Sequence, residues 1–69
     1  MDIEEINEIK GKIQKAHGRV WTTEELQQEF EVLGFMAPYC SVIRRADHQK
    51  GTIAFIHSPR FYYDFRPLM

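Results

Sequence analysis

Between Asp2 and Ala16 the apolar residues Ile3, Ile6, Ile9, Ile13 and Ala16 recur at spacings of 3, 3, 4 and 3, and polar residues fill nearly every other position. That is one stripe of an amphipathic helix. Asp2 stands where a cap is needed, Glu4 and Glu5 fall in the first turn, and Lys10, Lys12 and Lys15 follow, as the helix dipole favours. His17 and Gly18 read as its carboxyl end. Gly11 lies inside the stripe at a cost of about 1 kcal/mol relative to alanine.

A second helix is expected to start at Thr22 or Thr23. Thr22 with Glu25 three residues on has the form of a capping box, and Trp21 precedes it as a hydrophobic staple. Leu26, Phe30 and Leu33 follow at spacings of four and three, with Glu24, Glu25, Gln28, Glu29 and Glu31 turned to water. Gly34 then reads as the carboxyl cap, Pro38 as a stop, and Phe35 to Pro38 as a short connection.

From Tyr39 the pattern changes to short runs of β-branched and aromatic residues separated by turn chemistry. A four-residue loop over Asp47, His48, Gln49 and Lys50 sets Ala46 opposite Gly51, Arg44 opposite Ile53, Val42 opposite Phe55 and Cys40 opposite His57. A second turn at Ser58, Pro59 and Arg60 brings Phe61 to Phe65 back, with Phe55 near Tyr63 and Ile53 near Phe65. One face of this sheet then holds Cys40, Val42, Ile53, Phe55, Phe61, Tyr63 and Phe65, the expected core. The other holds Ile43, Ala54, Ile56 and Tyr62, bordered by Arg45, Thr52, Asp64 and Arg66.

These elements predict an α+β fold: two N-terminal helices followed by a three-stranded antiparallel β-meander, with the helices packed on one face of the sheet. The 69 residues fit one small domain, 1–69, near the size at which one core barely offsets chain entropy. An apolar fraction of 43 % with mixed charges is that of a folded chain. One cysteine, Cys40, rules out an internal disulfide and points to a reducing, cytoplasmic setting. The acidic start and the absence of a long apolar run lead us to expect neither export nor membrane insertion.

The net charge of −1 conceals a division. Residues 1–33 carry eight acids and four bases, whereas residues 34–69 carry five bases and two acids. Candidate chemistry is sparse. A Cys40–His57 nucleophilic dyad has no third, orienting residue, and both side chains would point into the core. His17, His48, His57 and Cys40 do not match metal-ligand spacing. Glu24, Glu25, Glu29 and Glu31 read as a solvated face, and the four glycines form no phosphate loop. No enzyme activity, metal or cofactor is expected.

Binding is the remaining expectation. An apolar centre with an arginine and tyrosine rim has the composition of a protein interface, so Ile43, Arg45, Ile56, Tyr62 and Arg66 are the expected contact with a protein partner or a second copy. The alternative is nucleic acid, held by Arg44, Arg45, Lys50, Arg60, Tyr62 and Arg66 on a basic, aromatic sheet. Tyr62 separates binding from folding, because the contact requires it exposed.

Overall fold

The computed structural model describes residues 2–68. In chain order the elements are α1 (Ile3–His17), β1 (Val20–Trp21), α2 (Thr23–Glu29), β2 (Phe30–Met36), β3 (Tyr39–Arg44), β4 (Gln49–Ile56) and β5 (Phe61–Pro67). The strands form one antiparallel sheet in the order β1-β5-β4-β3-β2. The fold is α+β, but a five-stranded sheet replaces the expected three-stranded meander.

Both helices begin as their caps dictate. The Asp2 carboxylate accepts from the Glu5 amide, and Thr22 and Glu25 form the reciprocal capping box. The ends differ. α1 closes at Gly18, whose φ of +86° is a conformation that glycine adopts without strain. α2 stops at Glu29, four residues before Leu33, and the chain continues as a strand. The reason is an ambiguity of period. Leu26, Phe30 and Leu33 fit a helix, yet Phe30, Glu31 and Val32 also alternate as a strand does, and pairing with β3 decides the outcome. Leu33 becomes a bulge between Val32 and Gly34, and Gly34 sits within a strand instead of capping a helix.

The second added strand, β1, has only two residues, too few to show a period. Val20 pairs with Tyr63 and Trp21 with Tyr62. The chain then crosses the sheet through α2 to reach β2 at the opposite edge.

Registers also differ from expectation. The β3–β4 turn is Arg45 to His48, so Val42 faces Gly51 and Cys40 faces Ile53. Arg44 binds Asp47 through two nitrogens, at 3.0 and 2.7 Å, and Asp47 also accepts from the Gln49 amide, which fixes the turn two residues earlier. Because the offset is even, Cys40, Val42 and Ile53 keep their shared core face. In β4–β5 the offset is one residue near the turn. Phe55 pairs with Tyr62 and Ala54 with Tyr63, which exchanges the faces of Phe61, Tyr62 and Tyr63. A bulge between Thr52 and Ala54, with Asp64 at φ +59°, returns Phe65 to the first face.

The helices lie on opposite faces of the sheet, not on one. On the first, Leu26 of α2 joins Trp21, Phe30, Cys40, Val42, Ile53 and Tyr62 in the core, with Val32, Phe55 and Phe65 packed around them. Gly51 makes room for the Phe65 ring, since a Cβ there would lie 2.5 Å from it. On the second face α1 packs along β1 and β5, where His17 stacks on Tyr63 at 4.7 Å and Val20, Ala54 and Phe61 are buried. This helix is lightly docked: Ile6, Ile9 and Ile13 are half-buried and Ile3 is 73 % exposed.

Candidate functional site

Strands β2 and β3 extend beyond both helices. α2 has ended where β2 begins, and α1 packs on β1 and β5 at the other side of the sheet. The far half of the β2–β3 hairpin is therefore thinly covered: Cys40 is buried there, but Leu33, Phe35, Met36 and Tyr39 are 52, 58, 81 and 50 % exposed. Among the described residues the other exposed large hydrophobics are Ile3 and Leu68, near the two chain ends. An apolar group this concentrated is unusual on a surface with no partner.

Arg60 supplies the polar part of this end. Its guanidinium carbon is 4.7 Å from the Phe55 ring centroid, 5.9 Å from Phe35 and 6.0 Å from Tyr62, so the cation spans from β5 to the edge strand. One terminal nitrogen lies 2.8 Å from His57 Nδ1 and the other donates to the Tyr62 hydroxyl at 3.4 Å. Nε is buried without a hydrogen-bond partner. The acid-paired arginines among the described residues are Arg19, Arg44 and Arg66. Arg60 is not one of them.

The opposite end of the sheet holds a cleft of about 540 Å³ between α2, β1, β5 and the β3–β4 turn, lined by Arg19, Trp21, Glu29, Phe30, Arg44, Arg45 and Phe65 among others. Its polar groups are largely engaged with each other. The Glu29 carboxylate accepts from Trp21 Nε1 and from Arg19 at 2.7 Å, and those hydrogen bonds, the indole's first, hold its pKa below the usual range. Arg44 lies over Phe65 while bound to Asp47, and Arg45 donates from Nε to the Gln27 carbonyl at 3.0 Å.

The residues expected at the contact are dispersed. Tyr62 is 3 % exposed in the α2 core, contrary to the face assigned to it, because of the one-residue offset described above. Ile43 pairs with Lys50, and Ile56 lies six residues along the same strand, roughly 20 Å away at strand rise. Arg66 binds Asp64 at 3.0 Å, and Arg45 belongs to the cleft. Of the cations expected to hold nucleic acid, Arg44 and Arg45 line the cleft, Lys50 and Arg66 lie on the α1 face, and Arg60 is at the hairpin end.

Cys40 and His57 are not opposite each other: Cys40 faces Ile53, while His57 is in the β4–β5 turn. Burial raises the Cys40 thiol above its ordinary pKa, which disfavours the thiolate. His17 is against Tyr63, and His48 is in the β3–β4 turn. Glu24 and Glu31 are exposed, Glu25 belongs to the cap of α2, and Glu29 to the cleft. No helix among the described residues is long and apolar enough to cross a membrane.

Phe35 to Pro38 reads as a connection and Leu33 as helix in the sequence, although a signal for the hairpin is present. Val32 to Ile43 is a run of twelve residues without a charge. No family model, no curated protein and no solved structure matches this chain.

Proposed function

We propose that this protein is a small binding or regulatory protein that acts without catalysis, by docking a protein partner on the β2–β3 hairpin. The supporting observation is that Leu33, Phe35, Met36 and Tyr39 are each at least half exposed along this hairpin, with Arg60 against the Phe35 ring. Aromatic residues, methionine and arginine are the types enriched where protein interfaces concentrate their energy. Burying what remains exposed of Phe35 and Met36 against a partner contributes at most roughly 1.5–3 kcal/mol each. The test is capture from the protein's own cell extract with the wild type and with Met36→Asp. The wild type retains a protein that the variant, equally folded, does not; equal retention by both rejects this surface.

A second reading takes nucleic acid as the partner. The cleft favours it, because Arg19, before β1, and the adjacent Arg44 and Arg45, at the end of β3, line one concavity. Retention of a labelled single-stranded oligonucleotide would fall steeply with salt and with Arg45→Ala. No retention at low salt removes this reading.

A further inference from the structure

We infer that the hairpin binds its partner as an added strand: an extended acidic segment pairs along the free edge of β2, and one of its carboxylates meets Arg60. This rests on the proposed docking of a protein at the hairpin and specifies the partner's chemistry.

The edge is open. β2 is bonded to β3 on one side and is the last strand of the sheet on the other, so alternate residues direct their N–H and C=O groups away from the molecule. Natural edge strands are usually blunted by lysine, proline or a bulge. Here the bulge at Leu33 and the charge of Glu31 protect the half nearest the core, while Gly34, Phe35 and Met36 have no such device. Even the glycine contributes, since the space where its Cβ would stand is empty for 4 Å. Main-chain pairing along such an edge supplies affinity, and alternate side chains supply specificity.

The charge of the visiting segment follows from Arg60. Its guanidinium lies against the ring of Phe35, on the edge strand itself, with Nε buried and unbonded. The strand ends and turns at this end of the sheet lie within Val32 to Cys40 and Ile53 to Tyr63, and neither stretch contains an Asp or Glu. The only nitrogen base bonded to Arg60 is His57, which does not neutralise it. A carboxylate on a long side chain passing over Phe35 and meeting a terminal nitrogen of Arg60 supplies the missing charge.

The probe is a synthetic nonapeptide of alternating Thr and Val with a central Glu, titrated into the full-length, isotopically labelled protein and followed by amide NMR. The Glu peptide should shift and protect amides of Val32 to Met36, and should bind about tenfold more tightly than its Gln counterpart. Methylating alternate peptide nitrogens should abolish binding. Arg60→Gln should remove the Glu preference and leave the weaker Gln-type binding, whereas Arg60→Lys retains part of the preference. Unmoved β2 amides at millimolar peptide, or equal affinity for the Glu and Gln peptides, overturn the inference. So does concentration-dependent broadening of β2 without peptide, which assigns the edge to a second copy. If the inference fails in any of these ways while Met36→Asp still loses the captured protein, hairpin docking stands and strand addition alone is rejected.

Discussion

Strands β2 and β3 run through two environments in a few residues. At the α2 end Phe30 and Val42 are 2 and 0 % exposed, and at the hairpin end Phe35 and Tyr39 are 58 and 50 % exposed. The residue types are alike, so composition does not separate core from surface here. Coverage does. α2 has seven residues, about 10 Å of helix at its rise, whereas β2 also has seven and spans about 23 Å. A helix this short shields one end of the strands it crosses, and the remainder is left for a partner.

The largest effect expected from disturbing this contrast is at the covered end. Tyr62→Ser should cost roughly 3–5 kcal/mol, most of the stability of a domain this small, and chemical denaturation should show a lost or strongly shifted transition. An unchanged midpoint would place Tyr62 outside the core. Gly51→Ala comes next, at roughly 1–3 kcal/mol, because the new methyl would lie 2.5 Å from Phe65 and 2.6 Å from the Arg66 carbonyl oxygen. Phe65→Leu should recover part of that loss, and its failure to do so would show that the backbone contact dominates.

Glu29→Gln should cost about 1 kcal/mol by weakening the link from α2 to Trp21 and Arg19, and tryptophan emission reports the altered indole environment. At the uncovered end the same kind of substitution should do little to stability. Met36→Asp should move the denaturation midpoint by no more than about 0.5 kcal/mol equivalent while abolishing partner capture. The smallest effect concerns acid. Arg44 holds the Asp47 carboxyl at about 2, below its ordinary 3.8. Its stabilising contribution is therefore complete above pH 3.8 and is lost as pH falls through about 2. An NMR titration of the carboxyl should show this, and Arg44→Gln should return it to the ordinary range.

Much of the helical half was legible because its signals are local. The Asp2 cap, the Thr22 and Glu25 box and the isoleucine stripe each need only a few neighbouring residues. The sheet was partly legible: the core roles of Cys40, Val42 and Ile53 survive any even change of register. What was hidden depended on distant pairing. β1 exists only because β5 is there to receive it, and Phe30 to Met36 is strand because β3 competes with helix extension. Tyr62 illustrates the sensitivity most sharply. One residue of offset in the β4–β5 turn moves it from an expected contact to the centre of the core. The hairpin is obscured for the complementary reason: Gly34 and Pro38 have the chemistry of a helix cap and a stop, yet here they lie within and beside paired strands.

The most direct measurement is hydrogen exchange of the protein alone and bound to the partner recovered from its own cell extract. Partner binding should add protection to amides from Leu33 to Cys40 and leave those from Glu25 to Phe30 unchanged. Protection gained instead around Arg19, Trp21 and Arg45, with the hairpin unaltered, would contradict the assignment of function to the uncovered end.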